Sequence, residues 1–521
     1  MRVLQDVLAR LLYRRGSVSL DWVTESNVPG ARAVSHEEFQ ARPLLIWYDH
    51  FSVPQAASCS NEQSEAISSI PAYVAKCRFF FALCSTIACA VYGKVLSAAS
   101  WNTRGWCRLE RAARELSAHD SWILVRSSTS VQVVGTAVSS VCGSVGEGAF
   151  TVAGDRQKLA PVMKSILAKK LQLSLKAGDL PAYRRHFCLQ TVHMRGLEIE
   201  PVPGLIPDNE TTPPEDDPAS IFLYQTGLED VKKKDAAGFW PLHYAALSGN
   251  RRVVEGLLAQ HADPNRRTAK QEPKLGFPPW MSVLDLAIFY KHNDVARLLI
   301  SARAHLEGGV FPSMQWAAFS NNAEGLSLLQ AAGGNPRAQN IFGASPFETA
   351  AVYGGREALE ELLPQAQHSP LELGRALHGA MGGFTASAEL VKRLISLRAE
   401  VNFQRDVCRD NSSFCWWFVA AQSLKHRVGR TSSALTSIMY HFHGQTPLAA
   451  ALQAAQHEGA AALIAAGARL DLRNGRNWTV ADFAREQDIP SFLRQGLEGD
   501  PTECRRVAAL ALPDGYVEVL F

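Results

Sequence analysis

The feature that most constrains this chain is a recurrence in its second half. Similar short apolar segments return with equivalent positions at Leu242, Leu284, Met314, Phe347, Leu377, Leu448 and Ala481, at intervals of 42, 30, 33, 30, 71 and 33 residues. Self-similarity at a period of roughly 20–50 residues is the mark of a stacked repeat architecture. A unit that small cannot bury its apolar face alone, so neighbours must lie side by side and share one core. Residues 219–500 are therefore expected to form an all-α solenoid rather than a globule.

The best-formed copy is "DAAGFWPLHYAALSGNRRVVEGLLAQHADPN", Asp235 to Asn265. It resembles an ankyrin repeat, in which a turn precedes T-P-L-H-x-A-A, a glycine, V-V-x-L-L and G-A-D-x-N. Each part has a mechanical reason. Pro241 suits a first helical turn, where its missing N–H would be unpaired anyway. Ala245 and Ala246 let antiparallel helices approach, Gly249 breaks the chain between them, and Val253, Val254, Leu257 and Leu258 face the next repeat. About seven degenerate repeats are expected. Two intervals exceed the ankyrin unit of about 33 residues. They predict an insertion of roughly nine residues near Lys270 to Pro279 and a larger one of roughly 38 near 403–443, by subtraction of that period.

The resemblance implies a protein partner on the concave helix face and the turn tips. His243 and His378 read as motif histidines tying turn to helix. The larger insertion holds Cys408, Cys415, His441 and His443, but C-x6-C with H-x-H departs from zinc-ligand spacing. It reads instead as a long loop with an apolar helix, "FCWWFVAA", docked on the array and itself a candidate partner site. No metal is expected.

Upstream, "PVPGLIPDNETTPPEDDP" (201–218) is rich in proline and acid and reads as a linker. Before it, the apolar runs "PLLIWYD" (43–49), "RFFFALC" (78–84) and "SWILVRS" (121–127) alternate with helical spacing around 62–75 and 104–118. That order favours an α/β module with a mainly parallel sheet over residues 1–200. Helices should trail it near 156–176 and 180–190, and residues 501–521 read as a tail. "VQVVGTAVSSVCGSVGEGAFTV" suits either a hairpin or a loop, and Gly143, Gly146 and Gly148 read as turn glycines.

Net charge is only +3, which excludes a dedicated nucleic-acid binder with a large basic face. The ten cysteines lack the dense spacing of a disulfide framework and read as reduced thiols. "MRVLQDVLARLLYRRGS" reads as an amphipathic helix rather than a signal peptide, and "FFFALCSTIACAVY" is too short to span a bilayer. No membrane span and a cytoplasmic location are expected.

The stretch "SWNTRGWCRLERAARE" (100–115) places Trp106, Leu109, Ala113 and Leu116 on one stripe, with Glu110 at its edge. Together with "WYDHFSVPQ" and "EAISSIPAYVAKCRFFFALCS" it resembles the central part of a Toll/interleukin receptor (TIR) domain. There a strand ending in aspartate and an apolar strand precede S-x-W-C-L-x-E-L. Trp106-Cys107-Arg108-Leu109-Glu110 matches W-C-x-x-E, and the same pieces are similar to fungal heterokaryon-incompatibility (HET) domains. The resemblance covers roughly residues 44–126. It implies that Glu110, in TIR enzymes the catalytic carboxylate of NAD cleavage, is a candidate catalyst, with Asp49, Ser85 and Trp106 as candidate nucleotide-binding residues. It also implies self-association of the module.

Three roles stay open for Glu110: catalysis, a non-catalytic pocket, or an ordinary i, i+4 pair with Arg114. The reading that follows is an interaction scaffold, not an enzyme and without a cofactor, in which the array recruits a protein to a TIR-like module. The alternative is an NAD glycohydrolase whose array is a sensor.

Overall fold

The computed structural model describes residues 2–48, 52, 60–89, 93–119, 121–135, 143–204, 217–307, 309–383, 386–429 and 433–512. Its N-terminal module is built on strands β1 (Ser17–Leu20), β2 (Val34–Ser35), β3 (Phe81–Leu83), β4 (Ile87–Cys89), β5 (Lys94–Leu96), β6 (Trp122–Val125) and β7 (Val131–Val134). Five of them form one sheet in the order β2-β1-β7-β6-β3, and β4 and β5 make a separate hairpin. All four residues of β6 are buried, because the sheet is covered on both faces. Alternation divides them. Trp122 and Leu124 face Val23, Ala82, Ala98 and Val134, whereas Ile123 and Val125 face Val7, Leu11, Val18 and Phe39.

The sheet is mixed rather than mainly parallel. β3 pairs parallel with β6, and β1 parallel with β7, but β6 and β7 are antiparallel. A parallel return needs a crossover of a dozen or more residues, roughly. The chain instead turns within Ser127–Ser130, where Ser127 Oγ accepts from the Ser130 N–H at 3.0 Å. A second correction concerns "PLLIWYD": residues 43–48 form no strand. The place beside β7 is taken by β1, a short polar-alternating strand whose exit is fixed by Asp21. Its carboxylate accepts from the N–H groups of Val23 and Thr24, at 3.0 and 3.1 Å, and starts the next helix.

Among the described residues the array comprises seven antiparallel helix pairs. They begin at Pro241, Val283, Ser313, Pro346, Pro370, Pro447 and Val480, and their second helices at Arg251, Asn293, Ala323, Arg356, Ala388, His457 and Ser491. Inner helices stack on inner and outer on outer, so the seven apolar positions of the sequence fall on the inner row. Side-chain caps recur at their starts: Ser282, Ser345, Ser369 and Thr446 each accept from a backbone N–H in the first turn. Among the described residues, the turn between the two helices uses a left-handed residue in five of the seven pairs. Gly249 and Gly354 fill it in two pairs, but Lys291, Asn321 and Ala455 adopt the same positive φ elsewhere. The repeats therefore look degenerate in sequence while the backbone repeats.

Residues 205–216 lie outside the described residues, and the helices on either side of them both meet the array. The helix Leu180–His193 packs on Pro241–Ser248, and Pro218–Thr226 on Arg251–Ala259, so these two helices cap the array. Arg184 seals this cap, donating to the carbonyls of Thr226 and Gly227 at 2.7 Å and to Asp235 at 3.2 Å. The C-terminal residues are not wholly a tail either. Thr502–Leu510 is a helix whose Cys504 and Val507 are fully buried against the last repeats.

The first insertion folds over the inner row. Phe277 meets the rings of Phe289, Tyr290 and Trp316 at 5.0, 6.0 and 5.9 Å, so the chain itself covers part of that face. His243 behaves as expected: its Nδ1 accepts from the Trp240 N–H and its Nε2–H donates to the Met281 carbonyl, both at 3.3 Å. His378 does not. Its helix starts six residues earlier than the pattern implies, at Pro370, so the ring lies in the helix interior and packs edge-on against Phe442 at 5.4 Å.

Candidate functional site

The helix Gly105–Glu115 carries the residues singled out by the sequence. It begins where no side chain fits, since a Cβ on Gly105 would fall 2.0 Å from the Phe150 ring. Its three arginines bind backbone. Arg108 donates to the carbonyls of Asn102 and Ser144 at 2.7 and 2.9 Å, and Arg111 to Asn102 Oδ1 and the Gly143 carbonyl at 3.2 and 3.3 Å. Arg114 donates to the carbonyls of Ser121, Cys77 and Arg78 at 2.7, 2.6 and 2.9 Å. These bonds pin the loops before β3 and β6 to the helix. Gly146 and Gly148 are sites of close backbone approach rather than loose turns, for added Cβ atoms would meet Gly196 and Gly105 at 2.4 Å.

Glu110 lies half-buried on this helix, and the Trp106 indole N–H donates to Asp155 at 3.1 Å. Neither lines a cavity at the carboxyl ends of β3 and β6, where an open α/β sheet offers a binding site. Ser85 does line it, and Asp49 lies outside the described residues. That cavity, about 430 Å³, is walled by Leu83, Cys84, Ser97, Trp101, Arg126 and Ser127 of the module and by His457, Asp488 and Ile489 of the array.

Its chemistry is that of a packed junction. Burial pushes the Cys84 thiol up to about 12, so it is no nucleophile at neutral pH. Burial lowers the His457 imidazole to about 4 and holds it neutral. Burial also pulls the Arg126 guanidinium below its ordinary value; it donates to Gln132 at 3.1 Å. The carboxylate on the wall, Asp488, accepts from the Ser128 hydroxyl at 2.7 Å. Sequence reasoning missed Arg126, His457 and Asp488. The two array residues lie more than three hundred positions from the sheet, and no local spacing announces such a meeting.

The junction is one edge of the array, where the paired helices turn. Trp22 donates from its indole to the Gly382 carbonyl at 2.8 Å, and the Ser97 hydroxyl to Glu458 at 2.8 Å. Glu458 also accepts from the Ala388 N–H at 2.9 Å, and the Asp488 N–H donates to Thr129 Oγ1 at 2.8 Å. The opposite edge, formed by the finger turns between repeats, makes none of these bonds to the sheet module, although the Ser412 hydroxyl of the second insertion donates to the Ile341 carbonyl at 2.6 Å. Among the described residues of 217–512, the strongly exposed large apolar side chains lie there or on the second insertion: Trp280, Ile341, Leu371 and the helix Ser413–Val428. In that insertion Cys408 is exposed, whereas Cys415 is buried beside Val407 and Val419 and His441 packs on Trp478 and Phe483.

Comparison with known proteins finds ankyrin repeats in this chain. The ankyrin repeat family model matches residues 237–269. Transient receptor potential cation channel subfamily A member 1 of Homo sapiens is 30% identical over 142 residues, which is 26% of this chain and 12% of that protein. Ankyrin repeat and SOCS box protein 3 of Homo sapiens is 35% identical over 128 residues, 25% of this chain and 24% of that protein. This chain thus spans at most about a quarter of those relatives' lengths. Among solved structures, the human ASB11 ankyrin repeat domain aligns over 49% of this chain and 100% of its own, at 23% identity and a TM-score of 0.33. The family match falls on the first helix pair, and the chain carries ankyrin repeats.

Proposed function

We propose that this chain is a cytoplasmic protein-interaction scaffold, in which the ankyrin array recruits a protein partner to a module that resembles TIR domains. The observation that carries the reading is the contrast between the array's edges. Its turn edge is occupied by the chain's own module, whereas exposed apolar side chains collect on its finger edge. A repeat solenoid presents its binding surface on the free turns and faces that the rest of the chain leaves open. No helix among the described residues is long and apolar enough to cross a membrane.

The test compares proteins retained by the immobilised full chain with those retained by a Trp280→Glu/Ile341→Glu variant. A defined partner lost by the variant supports recruitment through the fingers; a partner set unchanged by it overturns that. Incubation with NAD tests the enzymatic alternative. Nicotinamide release that disappears in Glu110→Gln would replace the scaffold with a glycohydrolase, whose catalytic carboxylate then acts outside the cavity described above.

A further inference from the structure

The insertion between the fifth and sixth helix pairs folds as a helical hairpin, Ser413–Val428 against Ala434–His441. Its long helix is apolar on two faces. The inner face buries Cys415 and Val419 with Met439 and Phe442 packed against them. The outer face carries Phe414, whose ring also meets Phe342 edge-on at 5.3 Å, then Trp417, Ala421, Leu424 and Val428, in steps of three and four, and Trp417, Leu424 and Val428 are 61%, 60% and 76% exposed. A helix with two apolar faces calls for a partner on each. Here the described residues cover only half of it.

The pattern of the bare half indicates its occupant. Steps of three and four over two heptads form an a and d seam, which a second helix matches by knobs-into-holes packing. The charge is one-sided: no Asp or Glu occurs from Asn411 to His457, while Lys425 and Arg427 are exposed beside the seam. We infer that this face docks an amphipathic helix of a partner protein whose flanking positions are acidic. The inference rests on the scaffold reading and moves recruitment onto an element outside the repeats themselves. Trp417 and Leu424 are the anchors, and Lys425 and Arg427 set orientation and encounter rate.

The experiment uses the full chain and a labelled synthetic helix with leucine at a and d and glutamate at e and g, followed by fluorescence anisotropy. Saturable binding is expected, weakened about ten-fold or more in Trp417→Glu/Leu424→Glu. It should also weaken with salt, in Lys425→Glu/Arg427→Glu, and when the peptide carries lysine in place of glutamate. Circular dichroism and thermal unfolding check the variants' fold; if the first fails to fold, Trp417→Ser with Leu424→Ser takes its place.

Equal binding to wild type and variants, or none to wild type, overturns the inference. So does sedimentation of wild type with phosphatidylserine vesicles, or dimerisation, if either is lost in the anchor variant while the peptide does not bind. The finger variant separates the two readings. Partner retention that depends on Trp280 and Ile341, without peptide binding, removes the seam and leaves the scaffold. Peptide binding without finger-dependent retention keeps the seam and confines recruitment to the insertion.

Discussion

The two edges of the array are built from the same repeated helix pairs and meet opposite fates. At the turn edge, Gly382, Ala388, Glu458 and Asp488 bond directly or through one another to Trp22, Ser97, Ser128 and Thr129 of the N-terminal module. At the finger edge, Trp280 and Ile341 stand in solvent at 58% and 39% exposure. The difference teaches that a solenoid's free surface is not set by its repeats. It is set by what the rest of the chain leaves uncovered.

The largest effect should come from breaking the core on which both edges depend. Leu257→Ala empties a fully buried position, and a loss of about 2–5 kcal/mol is expected in denaturant unfolding. A shift near zero would mean that the helix pairs do not share a core.

Next is pH. Burial, opposed by the bond to Met281, lowers the His243 imidazole to about 4, below the ordinary 6.5. A depressed folded value means the unfolded chain binds the proton first. The stability from neutral His243 is full above about 6.5 and is lost as pH falls toward 4, by about 3 kcal/mol in all. Unfolding free energies at pH 7 and 4.5 should therefore differ less in His243→Asn than in wild type; equal differences would refute this.

Glu458→Ala removes the acceptor shared by Ser97 and Ala388, costs about 1–3 kcal/mol, and should raise hydrogen exchange around residues 94–103 while the finger turns stay unchanged. Exchange rising equally at both edges would erase the distinction between them. Ala455→Gly relieves a left-handed alanine at φ 51° and should stabilise the array by about 1 kcal/mol in the same denaturant series. The smallest effect belongs to the finger edge, where Ile341→Ser should stay within about 0.5 kcal/mol. A larger loss would show that the edge is already packed.

Legibility followed the range of the contacts. Pro241, Ala245, Gly249 and Leu257 announce a helix pair within about one repeat, and the helices at 60–76, 155–176 and 180–193 fall where their apolar spacing put them. β1 was missed because "SVSL" is four residues with one buried side chain, whereas "PLLIW" looked more strand-like and pairs with nothing. Of the proposed nucleotide-binding set, Ser85 reached the cavity because it directly follows β3; Trp106 turned to Asp155 because helix 105–115 packs against the helix 155–176.

The sequence by itself determined the helical solenoid, since stacking is a nearest-neighbour interaction that local pattern encodes. Only the tertiary structure decided that the helices 180–193 and 218–226 cap the array, that the sheet is mixed, and which edge of the array is spent on the chain's own module. Those outcomes depend on residues hundreds of positions apart, such as Ser97 and Glu458, and no periodicity in the chain records such a meeting.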